Sequence, residues 1–144
     1  MSGFSTSETI NSPIELVFDH LTNLSNFKNW MPGVLEIKID PNVAIAKGSK
    51  YIETRRFKNG EGNVQMEILD LIAPNLFVTG FNTAGTFCRY EYQLEKESSK
   101  TTISLTCKVQ VIGFKKIWQP LIAWAIRLQD KNQLKALKSN IENP

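Results

Sequence analysis

The sequence is short of the residues that reactive chemistry usually recruits. It holds one histidine and two cysteines, and its glycines never gather into a phosphate-binding loop. A single imidazole with two thiols in no zinc-like spacing cannot make up a metal site, so no metal and no cofactor are expected. Charge of one sign is also scarce. Against 14 acidic residues stand 17 basic ones, a surplus of +3 with no dense basic run, which speaks against a nucleic-acid partner. Long hydrophobic runs are missing too: the most apolar stretch, Ile117 to Ile126, is interrupted by Gln119 and Pro120 and falls well short of the ~20 residues that cross a bilayer. Met1 to Ile10 is polar, with no basic segment leading into an apolar one, so it does not read as a secretory signal. The expected compartment is the cytoplasm, where Cys88 and Cys107 stay as reduced thiols.

What is present is an ordinary globular composition. Hydrophobic residues make up 42% and charged residues 22% of 144 positions, which suits one domain spanning residues 1–144. A chain of this length can bury roughly 70% of its unfolded surface. Residues 3–10 read as a strand. Ser12-Pro13-Ile14-Glu15 then offers a serine N-cap, proline at the first helical position and glutamate three residues after the cap. Ile14, Val17, Phe18, Leu21 and Leu24 follow at helical spacing on one face. A second short helix opens at Ser25 and stops near Trp30, because Pro32-Gly33 cannot continue it. From Val34 to Val111 the period is two, and turn clusters divide the stretch into about six strands with short connections, hence an antiparallel meander. After Gly113 the period is helical again. One helix from Trp118 to Ile141 would be roughly 36 Å long, enough to lie across a whole sheet.

Several short motifs fall in a telling order. Ile10-Asn11-Ser12-Pro13 with Val17-Phe18 is similar to an "I-x-A-P-x-x-V-W" opening, and Trp30-Met31-Pro32 to a "W-x-P". Gly48-Ser49-Lys50-Tyr51, Leu71-Ile72-Ala73-Pro74, Lys100-Thr101-Thr102-Ile103 and Leu134-x-x-Leu137-Lys138 with Glu142 come next. Over nearly the whole chain this resembles the START-related helix-grip superfamily (SRPBCC), in its polyketide cyclase/dehydrase-like branch. The resemblance implies an α+β helix-grip fold: a curved antiparallel sheet of about seven strands wrapped around a long C-terminal helix, with two short helices after the first strand and an internal cavity. Members range from lipid carriers to cyclases and chaperone activators, so fold is implied more firmly than activity.

Alternation sorts the candidate residues. Cys88, Tyr90, Tyr92 and Leu94 share one face, and Thr101, Ile103, Leu105, Cys107, Val109 and Val111 share one face of the next strand, both read as inward. A turn centred between Glu97 and Ser98 would set Cys88 directly opposite Cys107, as two small core residues. The strand Tyr51–Phe57 is ambiguous by one residue, and a slip reverses every side chain. Tyr51 inside is favoured, which carries Glu53 and Arg55 onto the concave face, where charges must be paired; the alternative leaves both at the rim. Met66, with Val64 and Ile68, suits an adaptable apolar wall. Trp30 can plug one end of the sheet or touch a ligand, and its indole N–H needs a partner if buried. His20, at the border of the first helix's buried face, reads as an edge histidine and not a catalytic one.

On the last helix Ala123, Ile126, Leu134, Leu137 and Ile141 cluster on one side with Asp130 among them, and this side should face the sheet. Ile117, Leu121, Trp124 and Leu128 fall nearly opposite, a strip suited to a second copy of the chain or to a membrane surface. Alternatively Pro120 re-registers the first turns, the strip faces the cavity, and Trp124 replaces Ile126 as a ligand contact. Tyr51, Met66, Tyr90, Tyr92, Trp118 and Ile122 are expected to line the cavity, with Trp30, Arg55 and Ile126 completing the ligand contacts. The leading expectation is a protein that binds a hydrophobic or amphipathic small molecule, lipid- or polyketide-like. Its rivals are a cofactor-independent cyclase or dehydratase, in which Tyr51, Arg55, Tyr90 or Tyr92 polarises a carbonyl, and a protein-interaction module without ligand.

Overall fold

Strong alternation in the middle of the chain and amphipathic segments at both ends call for a sheet with helices on one face, and that is the architecture of the computed structural model. It describes residues 2–57, 60–83, 85–113, 126–127 and 130–143. The elements are β1 (Ser2–Ile10), α1 (Ile14–Thr22), a 3-10 turn (Leu24–Asn26), α2 (Phe27–Trp30), β2 (Val34–Lys38), β3 (Lys50–Phe57), β4 (Gly60–Ile72), β5 (Leu76–Thr83), β6 (Thr86–Glu97), β7 (Lys100–Val111) and α3 (Gln133–Glu142). The seven strands form one antiparallel sheet in the order β1-β7-β6-β5-β4-β3-β2. Five neighbouring pairs are joined by the meander, and β1 crosses to the far edge beside β7, so the sheet carries β1 and β2 at its edges. A helix-grip fold with two short helices after the first strand is what the sequence leads one to expect.

The inward faces follow the alternation. Cys88, Tyr90, Tyr92 and Leu94 of β6 are buried, as are Thr101, Ile103, Leu105, Cys107, Val109 and Val111 of β7. The apolar stripe of α1, together with Leu24, is buried against them. The far end of α3 is tied to the free edge of β1: Lys138 Nζ donates to the Thr9 carbonyl at 2.7 Å, and the Asn11 N–H to Glu142 Oε2 at 2.8 Å. These bonds satisfy edge groups that would otherwise face solvent or another chain.

Three local expectations are corrected. The cap of α1 is Pro13, at φ −63° and ψ 151°, and not Ser12; no side chain caps this end. Ser12 is used elsewhere, its carbonyl accepting from Thr101 Oγ1 at 2.8 Å to hold the β1–α1 corner on β7. Second, the C-terminal helix is not continuous to Ile141: a turn at Lys131-Asn132 separates helical Asp130 from α3, with Asn132 at φ −101° and ψ 9°. Asp and Asn are weak helix formers that compete with the backbone for hydrogen bonds, which makes Asp130-Lys131-Asn132 the natural place to break. Third, the β6–β7 turn is centred between Ser98 and Ser99, because Glu97 pairs with Lys100 and Ser98 takes the left-handed conformation at φ 56°. Cys88 therefore faces Val109, and Cys107 faces Tyr90. The thiols are diagonal neighbours, and the inward parity is unchanged.

Ala123, Trp118 and Ile122, and the strip residues Ile117, Leu121, Trp124 and Leu128, lie outside the described residues. Among the described residues no helix is long and apolar enough to cross a membrane.

Candidate functional site

β3 decides the site. Tyr51, Glu53 and Arg55 are buried on the concave face while Ile52 between them is 40% exposed, which resolves the ambiguous register in favour of Tyr51 inside. Glu53 is 1% and Arg55 7% exposed, and charges this deep are tolerated only when paired and hydrogen-bonded. They are. The Arg55 Nε–H donates to Glu53 Oε1, and Arg55 Nη1 donates to Asp130 Oδ1 at 3.0 Å. Nη2 lies 3.8 Å from the sulfur of Met31. Asp130, in the helical segment before α3 and fully buried, receives a second bond on its other oxygen from the Tyr90 hydroxyl at 2.8 Å. One turn on, Gln133 Oε1 accepts from the Tyr92 hydroxyl at 2.5 Å. On β5 the Thr79 hydroxyl donates to the Glu67 carbonyl at 3.2 Å, leaving its oxygen to accept from Tyr51 at 2.6 Å. The chain's only three tyrosines thus stand together on the concave face.

Burial and neighbours act together on these groups. Burial alone would weaken the hold of Arg55 on its proton, but the Asp130 and Glu53 carboxylates outweigh it and push the guanidinium pKa well above its ordinary value. Burial, followed by the Asp130 charge, raises the Tyr90 and Tyr92 hydroxyls well above the ordinary tyrosine range. Tyr51 is raised in the same way, with Glu53 as the second cause. All three are neutral donors, each spending its proton on a protein acceptor. Behind Tyr90 the two thiols lie 3.6 Å apart as free cysteines. The hydrogen bond with Cys88, and then burial, push the Cys107 thiol up, which makes it an inert core group.

Two spaces open onto this cluster. A cavity of about 10 Å³, room for a single water, is lined by Tyr51, Met66, Thr79, Tyr92 and Gln133 with Phe27 and Met31. A second of about 80 Å³ is walled by Val64, Met66, Phe81 and Ile126. Glu53, Arg55, Met66 and Tyr90 line both, and so form the partition between them. Larger depressions of about 420 and 490 Å³ lie around Lys50 and Gln65. Both are open, with charged residues (Lys50 and Glu67 in one, Lys38, Asp40 and Lys50 in the other) beside apolar ones, so a ligand there would stay largely in contact with solvent.

Of the expected ligand contacts, the structure brings Tyr51, Arg55, Met66, Tyr90, Tyr92 and Ile126 around these two spaces. Trp118 and Ile122 fall outside the described residues. Trp30 lines neither space. It is buried edge-on against Phe27 at 5.5 Å between ring centroids, Phe27 is edge-on to Tyr51 at 6.4 Å, and the indole N–H has no hydrogen-bond partner among the described residues. His20 is a bracing residue: its Nε2 is 2.7 Å from Asn140 Oδ1 and 3.0 Å from Asn26 Nδ2, joining α1 to α3. Asp130, Gln133, Thr79 and Met31 were not among the expected site residues. For Asp130 a signal exists, an acid embedded in an apolar helical stripe; for Thr79 and Gln133 there is none.

The comparisons with known proteins agree with this architecture. The family profile described as "Polyketide cyclase / dehydrase and lipid transport" matches residues 1–142. No curated protein matches the sequence. Among solved structures, the chain is similar to the Zhui aromatase/cyclase from Streptomyces sp. R1128, with a TM-score of 0.79 at 10% identity over 96% of this chain and 92% of that one. It is similar also to Ara h 8.0201 (TM-score 0.77, 12% identity, 98% and 97% covered) and to a START superfamily protein from Mycobacterium smegmatis (TM-score 0.77, 11% identity, 96% of each). At such identities the likeness is one of fold.

Proposed function

The chain belongs to the polyketide cyclase / dehydrase and lipid transport family, and from that premise we propose that it binds an apolar or amphipathic small molecule on the concave face of the sheet, in one domain spanning residues 1–144 of a cytoplasmic protein. The observation that carries this is the partition of Glu53, Arg55, Met66 and Tyr90, where apolar walls and a fixed polar cluster meet between two spaces. Small-molecule pockets typically measure 300–1,000 Å³, so a ligand must displace side chains to enter. Met66 and Met31, unbranched and adaptable, are the ones that can move at least cost. Affinity would come mainly from apolar burial at about 25 cal/mol per Å².

A cyclase or dehydratase would need a donor free to polarise a carbonyl. The Tyr51 hydroxyl is spent on Thr79, Tyr90 on Asp130 and Tyr92 on Gln133, while Arg55 is shared between two carboxylates. Each would have to abandon a buried partner first, which favours binding over catalysis. Native mass spectrometry of freshly purified protein, before and after organic extraction, tests the proposal: a co-purifying lipid- or polyketide-like mass is expected. Turnover of an aromatic polyketide analogue that is lost in Tyr90→Phe would overturn it in favour of the enzyme.

A further inference from the structure

The charges buried at the partition do not balance. Glu53 and Asp130 bring two carboxylates and Arg55 one guanidinium, all under 10% exposed. No other cation of the described residues joins this set; Lys50 and Arg56 belong to the opposite face of β3. An uncompensated charge in a water-poor site is costly unless something supplies its complement. The hydrogen-bond inventory shows where the complement would go. Asp130 has both oxygens occupied, by Arg55 and Tyr90. Glu53 accepts from Arg55 through Oε1, and no hydrogen bond from a described residue reaches its Oε2, which is not sealed away like the unpartnered Thr6 Oγ1 and Trp30 Nε1 but open to the adjoining space. Glu53 faces the larger of the two spaces, whose remaining walls are Val64, Met66, Phe81, Tyr90 and Ile126.

From this juxtaposition, and resting on the small-molecule reading above, we propose that the ligand is a hydrophobic amine whose ammonium group docks on Glu53 Oε2. An ammonium supplies the missing positive charge and three donors to a site that offers an unused acceptor. Phe81 and Tyr90 border the same space, and a ring met face-on by the ammonium would add cation–π attraction. A carboxylate ligand would meet the opposite conditions. It would double the surplus negative charge, and it would find Arg55 shared by two acids and the tyrosine protons already donated. A neutral alcohol falls between the two.

Three probes with one ring system and different head groups separate these cases: naphthylethylamine, naphthylethanol and naphthylpropionate, titrated into the full chain at neutral pH by calorimetry. The amine is expected to bind about tenfold or more tighter than the alcohol, and the carboxylate weakest. In Glu53→Gln the ratio of amine to alcohol affinity should fall to within about twofold, with circular dichroism confirming that the variant folds. Should it not fold, the ranking in the unaltered protein still decides. An alcohol or carboxylate that binds as tightly as the amine sinks the amine assignment and leaves the small-molecule reading standing. If none of the three binds, both fall.

Discussion

The same sheet is filled in two different ways. Where β6, β7 and β1 meet α1 and α3 the interior is mainly apolar: Ile10, Val17, Leu21, Leu94, Ile103, Leu105 and Leu137 are all 1% exposed or less, and the buried Thr101 beside them spends its hydroxyl on the Ser12 carbonyl. Where β3 to β5 and the tyrosines of β6 face the segment around Asp130, equally buried positions hold two carboxylates, a guanidinium, a threonine, a glutamine and three phenols. Both halves obey the alternation of strands, so burial by itself does not explain the difference. A core that only had to be stable would be filled like the first half, because replacing a buried ion pair by apolar residues is often neutral or stabilising. The second half holds its polar groups in place at a cost in stability, which is what a binding site requires and a scaffold does not.

The largest test of this contrast is alkaline. Because the pKa values of Tyr51, Tyr90 and Tyr92 are all raised in the folded state, the stability they contribute is fully present below the unfolded tyrosine value near pH 10 and is lost as pH rises above it. Each tyrosine then costs about 1.4 kcal/mol per pH unit, until the folded-state value is reached. All three tyrosines of the chain lie in the polar half, so near-ultraviolet absorbance should show no tyrosinate in the native protein around pH 10, then one cooperative rise coincident with loss of circular dichroism. A phenol that titrates singly and early would place that residue in contact with water and break the comparison.

Arg55→Met should come next, at about 3–5 kcal/mol in urea denaturation, because Glu53 and Asp130 are left buried without their shared cation. A loss under 1 kcal/mol would mean that the cluster is wet. In the apolar half Leu105→Ala should cost about 3 kcal/mol through lost burial and a residual cavity. It should also leave the ratio of amine to alcohol affinity as it is in the unaltered protein, whereas Arg55→Met, which removes the cation that shares Glu53, should raise it. Tyr92→Phe is the mildest, about 1–2 kcal/mol by thermal or urea unfolding, for the buried Gln133 oxygen left without its donor.

How far the site could be read in advance follows from the range of the forces involved. Tyr90 and Tyr92 were legible because alternation is a local rule, and Met66 likewise. The pairing of Glu53 with Arg55 could be anticipated, since i, i+2 neighbours on a strand share a face. Its third member could not: Asp130 is separated from Arg55 by 75 positions, and nothing in either neighbourhood names the other. Trp30 was open to two readings, a plug of one end of the sheet or a ligand contact, and it packs edge-on against Phe27, which in turn meets Tyr51, as a plug would. Turn chemistry was the weakest guide. One residue's difference in the centre of the Ser98-Ser99 turn moved Cys88 from opposite Cys107 to its diagonal.

By itself, then, the sequence determined the order of the elements, the face that each strand turns inward and the family to which the chain belongs. The first two follow from hydrophobic periods of two and 3.6 and from local breakers, which act over a few residues; the family follows from the profile that matches residues 1–142. Only the tertiary structure decided the register of β3 and of the β6–β7 turn, the break before α3, and the meeting of Glu53, Arg55, Tyr90 and Asp130. Those depend on which distant groups compensate one another's burial, and a charge's partner is chosen by distance in space, which sequence separation does not measure.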